Sequence, residues 1–332
     1  MGRYHHLSLE EREDIMCLAR EGLGPSEIAR RTGRSKSTVS RELSRNSFAV
    51  GGGACYRAST AQRRYGERRL ACRRPRLLAD EGLRSLVQGK ILVERWSPEQ
   101  IAGRIALETG ARPVSRSTIY RAIARRELDT PELARTARGI AGRLRHRGKR
   151  RRRAGEEERR GKIRAPHELA ERPAAAASRS RLGDWEADTV VGRGAGPCLV
   201  TLVDRRSRYL VGGLAAAHRS AEVAATEIAA LRGQPLETVT PDRGMEFARC
   251  AEVTEELGVE FYFCRPHHPW QRGTNENTNG LIREYFPKGT DFAGVGPDEV
   301  QAVYDAINRR PRKCLGFRTP HEVHCSEALH LI

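Results

Sequence analysis

The chain has no Cys-x-x-Cys pair among its eight cysteines, no Walker-type phosphate loop, and no apolar run approaching the roughly twenty residues that span a bilayer. Each absence closes a class of function. Cysteines at positions 17, 55, 72, 198, 250, 264, 314 and 325, scattered through expected helices and strands, read as reduced thiols and not as a disulfide frame or zinc cage. His321, His324 and Cys325 lie close together, yet the phrase His-Glu-Val-His lacks the spacing of a His-Glu-x-x-His metalloprotease helix. Gly148-Lys149 is followed by Arg150 where a phosphate loop needs Ser or Thr, so ATP is not expected as a cofactor. With no spanning segment and no signal-peptide apolar stretch, the protein is expected to stay in the cytoplasm, without a membrane partner.

What is present is positive charge, unevenly placed. The 332 residues predict two or three domains, and the formal charge is +18. Residues 1–180 carry 42 Lys and Arg against 21 Asp and Glu, whereas residues 181–332 carry 18 against 21. A basic half suits a polyanion, because neutralising phosphates releases counterions; a near-neutral half can hold an acidic site. Nucleic acid is the partner this layout favours, and the protein is expected to associate with the nucleoid.

The first fifty residues read as a helix-turn-helix. Ser8-Leu9-Glu10-Glu11 is a capping box before a helix carrying Ile15, Leu18 and Ala19, and Gly22-Leu23-Gly24-Pro25 breaks it. A second helix starts near Ser26 and a third near Ser35, after a turn at Gly33. Ala29 allows close approach and Val39 packs the third helix back. That leaves Arg34, Lys36, Ser37, Thr38, Ser40 and Arg41 to face a major groove. A second segment repeats the theme: Trp96-Ser97-Pro98-Glu99-Gln100 caps a helix with Ile101, Ile105 and Leu107, and another begins in Val114-Ser115-Arg116-Ser117-Thr118-Ile119-Tyr120-Arg121. The phrase Ser-x-Ser-Thr occurs in both, as Ser35 to Thr38 and Ser115 to Thr118, where hydroxyls cap a helix and reach phosphates. Arg116, Ser117, Thr118 and Arg121 are the second set of DNA-binding candidates. Arg57 to Arg76, dense in arginine, is expected to be helical, and the charge run over 143–164 is expected to be a flexible linker that tracks phosphates. The division is 1–50 helix-turn-helix, 51–130 second helical region with its helix-turn-helix at about 96–128, 131–180 basic linker, 181–290 catalytic core and 291–332 helical extension.

From Gly183 the pattern changes to alternating apolar strands. Strands are expected near 185–191, 198–203, 209–214, 238–240 and 259–264, with helices over 220–232, 247–257 and 274–285, the order βββαβαβα of a mixed five-stranded sheet with flanking helices. Three phrases in it carry acids: Gly183-Asp184-Trp185-Glu186-Ala187-Asp188, Thr240-Pro241-Asp242-Arg243-Gly244-Met245-Glu246-Phe247, and Pro269-Trp270-Gln271-Arg272-Gly273-Thr274-Asn275-Glu276-Asn277-Thr278-Asn279-Gly280. Two strand-end acids and one on a late helix can converge although distant in sequence. A dispersed carboxylate trio suits Mg²⁺, a hard cation that keeps several waters, better than a soft metal. Asp184, Glu186 and Asp188 share one strand face, so the period of two does not choose among them. As plain structure, Asp242 is a turn aspartate and Glu276 a first-turn helix acid.

The phrases, together with Tyr285-Phe286-Pro287-Lys288-Gly289-Thr290 and the closing Asn308-Arg309-Arg310-Pro311 to Pro320, resemble the DDE transposases of the insertion sequence thirty family, over nearly the whole chain. The resemblance implies a multidomain protein: all-α helix-turn-helix modules before an α/β, ribonuclease-H-like, retroviral-integrase-like core. It implies Asp188, Asp242 and Glu276 as catalytic, metal-holding acids, with 33 residues between the last two. Pro241 departs locally from the pattern, removing a ladder donor where the strand ends. The implied chemistry is DNA strand cleavage and transfer with two Mg²⁺ ions, for which Mn²⁺ substitutes. The implied partners are terminal inverted repeats and target DNA on a homo-oligomer. Arg283, at i+7 from Glu276, is placed to hold a phosphate, with Arg272 and Lys288 as further candidates. A ribonuclease-H-like nuclease or resolvase, a DNA-binding regulator with an inactive core and a structural nucleoid protein are the other readings.

Overall fold

The computed structural model describes residues 5–50, 53–72, 76–145, 166–194, 196–264 and 273–332. The chain packs as two compact units, Met1–Arg76 and Leu77–Ile332.

The first unit is helical. α1 (Leu9–Arg20) begins at the expected capping box, with Ser8 Oγ accepting from the Glu11 amide and Glu11 from the Ser8 amide. α2 (Pro25–Thr32) and α3 (Lys36–Asn46) are joined by three residues, of which Gly33 takes the left-handed conformation at φ 64° that a turn this tight demands. Ile15, Ile28, Ala29 and Val39 form the core between them. The unit continues past residue 50, where composition suggests a boundary. An antiparallel hairpin of β1 (Phe48–Val50) and β2 (Gly53–Cys55) leads to α4 (Ala58–Ala71), and Tyr56 and Ala61 are buried in that same core. Arg12, 2% exposed, is held by Glu42 at 2.9 Å, which also accepts from the Tyr56 hydroxyl at 2.9 Å. A buried charge paired and hydrogen-bonded in this way ties α1, α3 and the segment before α4 together.

The second unit starts with α5 (Glu81–Leu92), α6 (Pro98–Thr109), α7 (Arg116–Ala124) and α8 (Pro131–Ala134) around Val87, Ile91, Trp96, Ile101, Ile119 and Leu128. Ile140 is fully buried in that cluster, so residues up to 145 fold onto the helices where a linker from 131 was expected. Most of the charge run, 146–165, lies outside the described residues. β3 (His167–Glu168) and α9 (Ala174–Ser178) precede the sheet strands β4 (Asp184–Val191), β5 (Cys198–Asp204) and β6 (Leu210–Ala215). Then come α10 (Ser220–Leu231), β7 (Thr238–Thr240), α11 (Cys250–Leu257), β8 (Glu260–Phe263), α12 (Gly273–Tyr285), α13 (Pro297–Asn308) and α14 (Pro320–His324).

The sheet has six strands in the order β3-β8-β7-β4-β5-β6. β4, β5 and β6 are antiparallel neighbours, while β7 and β8 run parallel to β4. Five of the strands, β4 to β8, and the helices between them are the expected mixed sheet of an integrase-like core. The sixth strand is the addition: two residues, His167 and Glu168, pair in parallel with Tyr262 and Phe263. Side chains alternate across β4 and β5. Trp185, Ala187, Val200 and Leu202 face Val223 and Ala224 of α10 and Val253 of α11, whereas Val190, Leu199 and Val203 face Leu281 and Ile282 of α12 and Tyr304 of α13. The even-numbered acids of β4 are therefore on the α12 face. Residues 291–332 complete the core instead of extending it, since Phe292, Val300, Tyr304 and Ile307 are buried against β5 and β6.

Candidate active site

Strand register brings two of the three acids together. β4 and β7 are parallel, with Glu186 opposite Thr240. Two residues further along each chain come Asp188, the half-buried fifth residue of β4, and Asp242, in the turn after β7. Neighbouring strands are about 4.8 Å apart, so the two acids leave the sheet at one edge, side by side. The Asp242 carboxylate accepts from the Gly244 amide at 2.8 Å, an Asx turn that fixes its direction. Pro241 ends the ladder at that point and leaves the turn intact.

The third acid arrives on α12. Asn279 donates from Nδ2 to Asp188 Oδ2 at 2.8 Å and faces the Thr201 hydroxyl at 3.4 Å, which docks this helix face on β4 and β5. Glu276 is three residues earlier on the same face, exposed in the first helical turn. Among the described residues no group of three or more His, Cys, Asp or Glu side chains is gathered closely enough to hold a metal ion. Asp188 and Asp242 thus lie at neighbouring strand ends, and Glu276 lies on the helix that Asn279 docks on β4, a set of oxygen donors. Such a set fits a hard divalent cation that retains waters and takes its remaining ligands from substrate.

The structure separates the three acids that periodicity left equivalent. Glu186 is buried, ion-paired with Arg205 and accepting from the Asn275 amide at 3.2 Å. Asp184 is buried and bound by Arg181 at 3.0 Å and by the Thr238 hydroxyl at 2.8 Å. Both are committed to structure, and Asp188 is the one turned toward Asn279. Asp204 caps the β5–β6 turn through the Ser207 amide and hydroxyl.

Two further groups border the site. Thr189, next to Asp188, has its hydroxyl 3.3 Å from Glu246 and 3.2 Å from His218 Nε2. No local phrase marks His218; only the path from β6 to α10 brings it there. Of the cations expected here, Arg283 is not free. Its guanidinium donates to the Val191 carbonyl at 2.7 Å, and burial lowers its pKa. Lys288 is exposed, and Arg272 lies outside the described residues.

The helix-turn-helix candidates divide similarly. Lys36, Ser37, Ser40 and Arg41 form an exposed face of α3, which Ser44 and Arg45 extend. Thr38 meets the Ser35 hydroxyl at 2.8 Å, and half-buried Arg34 is paired with Glu11 at 2.6 Å. On α7, Arg116, Ser117, Tyr120 and Arg121 are exposed, while Thr118 meets the Ser115 hydroxyl at 2.9 Å. Six residues separate α6 from α7, longer than the tight turn of the first pair. His324, part of the C-terminal His/Cys group, stacks on Tyr209 at 4.3 Å and contacts Ser207 and Gln234. All eight cysteines are free thiols, and no described helix is long and apolar enough to cross a membrane.

Comparison with known proteins agrees with this architecture. Residues 3–46 match a helix-turn-helix domain family and residues 179–269 the integrase core domain family. The transposase for insertion sequence element IS4351 of Bacteroides fragilis is 36% identical over 319 residues, 96% of this chain and 94% of its own. That of IS1086 from Cupriavidus metallidurans is 38% identical over 331 residues, 97% and 94% of the two chains. Transposase InsI of IS30A from Escherichia coli is 40% identical over 331 residues, 96% and 83%. By identity of this order along nearly its full length, the chain belongs to the IS30 family of transposases, polynucleotidyl transferases with an integrase core whose members generally use divalent metal ions.

Proposed function

We propose that the protein binds the terminal inverted repeats of its own insertion sequence on double-stranded DNA, and that it cleaves the element ends and joins them to target DNA through Asp188, Asp242 and Glu276. The observation that supports this reading is the register of β4 with β7 together with the Asn279–Asp188 hydrogen bond, since the first sets Asp188 beside the strand that leads to Asp242 and the second docks the helix of Glu276 against β4. Mg²⁺ held by the three acids as a pair of ions, with Mn²⁺ as substitute, supplies Lewis acidity for in-line displacement at a phosphodiester. Asn279 orients the Asp188 carboxylate and the Gly244 amide orients that of Asp242. Glu276 is exposed in the first turn of its helix, accessible to a DNA strand. Transesterification conserves the number of phosphodiester bonds, so ATP is not needed. The exposed face of α3 reads the repeat, α7 adds a second contact, and Lys288 meets the backbone. Pairing two element ends calls for at least two copies of the chain, working on DNA inside the cell.

The test is cleavage of a labelled duplex carrying an element end in Mg²⁺. Asp188→Asn and Asp242→Asn are expected to lose cleavage by roughly ten-thousandfold while still binding the duplex. Undiminished cleavage in either variant contradicts the assignment.

A further inference from the structure

The C-terminal segment is fastened to α6 by buried contacts from residues more than 200 positions away. Arg104, 1% exposed, makes two hydrogen bonds to Glu322, at 2.6 and 2.8 Å. Gln100 donates to the Pro311 carbonyl at 2.7 Å, and Glu108 accepts from the Leu331 amide at 2.9 Å. Phe317 lies flat against Gly103, where a Cβ would come within 2.3 Å of its ring. The loop between α13 and α14 is thereby held beside α7. At its surface Lys313 and Arg116 converge on one carboxylate, Glu99 Oε1, at 3.0 and 2.7 Å. The two cations remain 68% and 60% exposed.

We propose that Lys313 and Arg116 grip the phosphate backbone of one duplex together, so that the C-terminal loop completes the DNA-binding surface of α7, and that Glu99 occupies the phosphate's place when no DNA is bound. The inference rests on the reading that α7 meets double-stranded DNA. Two cations brought from positions 197 residues apart onto a single anionic oxygen form a ready receptor for another anion, and their exposure keeps it accessible. Exposed ion pairs contribute little net stability, so exchanging Glu99 for a phosphate costs little. The neighbouring exposed residues Ser117, Tyr120 and Arg121 are hydrogen-bonding, aromatic and cationic, which suits a nucleic-acid backbone.

Binding of the full chain to an element-end duplex and to an unrelated duplex of equal length, measured across a salt series, tests this. Lys313→Ala is expected to flatten the slope of log affinity against log salt by about 0.9 on both duplexes, one phosphate contact's worth. Lys313→Arg is expected to keep the slope, and Glu99→Gln to tighten binding to both. An unchanged slope in Lys313→Ala, or weaker binding in Glu99→Gln, overturns the inference. Absence of binding by the native chain to either duplex overturns the functional reading beneath it as well. Thermal melting identical to native verifies that the variants fold.

Discussion

The two helix pairs, α2–α3 and α6–α7, use one local grammar in two mechanical settings. In each, a serine caps the second helix, as Ser35 and Ser115, by accepting from the amide three residues on at 3.2 Å, and the threonine there bonds back to the serine hydroxyl. In each, an arginine six residues after the cap folds over the helix onto a backbone carbonyl, Arg41 to Ser37 and Arg121 to Ser117. The first pair is closed by its own hairpin and α4 around a buried Arg12–Glu42–Tyr56 network. The second is closed by the end of the chain, through Arg104 and Glu322, and belongs to the same compact unit as the catalytic sheet. The difference teaches that a short phrase specifies a helix start and an exposed face, while the rest of the chain decides which compact unit carries that face. The Glu284 carboxylate of α12 is held by Arg310 at 2.8 Å, so the helix carrying Glu276 is tied to this same C-terminal segment.

The largest expected effect breaks the second setting and spares the first. Glu322→Gln removes the bidentate partner of buried Arg104, which keeps Glu108 at 2.5 Å, and should destabilise the unit of residues 77–332 by about 1.5–3 kcal/mol. Trp96 and Trp185 are buried in that unit and residues 1–76 contain no tryptophan, so fluorescence-monitored denaturation follows the unit of residues 77–332. Burial raises the Glu322 pKa, yet Arg104 and the Thr319 and Leu329 amides outweigh it and hold the group at about 2, below its ordinary 4.5. A depressed folded pKa means that this stability is fully present above pH 4.5 and is lost as pH falls toward 2. The variant should lack that part of the acid dependence. Equal stability of native and variant at pH 7 contradicts the clasp.

A smaller effect sharpens the comparison on DNA. Arg41→Ala should weaken binding to the element end by about 1–3 kcal/mol and to random duplex by less, because α3 reads bases. Equal losses on both sequences remove the base-reading role. The same pair of measurements on Arg121→Ala shows whether α7 contributes sequence or only backbone contact. The smallest effect tests the shared cap: Ser35→Ala and Ser115→Ala should each cost about 1 kcal/mol, with the tryptophan signal shifting only for the second. A shift for the first would mean that the two units unfold together.

Much of the core was legible because its strands are internally consistent. β5 is buried at all seven positions and β4 at five of eight, with only Asp188, Thr189 and Val191 less than fully covered, and such runs read as central strands from apolar content alone. β3 was not legible, since two polar residues make a strand only through their pairing with β8. Nor were the roles of Arg34 and Arg283, whose acceptors, Glu11 and the Val191 carbonyl, lie 23 and 92 residues away. Asp188 was singled out from Asp184 and Glu186 by the family resemblance alone, because the partners that occupy the other two, Arg205 and Arg181 among them, are not visible in strand periodicity. Position along a strand is local and can be read from a sequence; the partner of a charge is not.

The most direct test of the account is a Mg²⁺-dependent strand-joining assay with labelled element ends and a target plasmid, comparing the native chain with Glu276→Gln. The account predicts joined products from the native chain and none from the variant. Cleavage without joining by the native chain, or equal joining by both proteins, contradicts it.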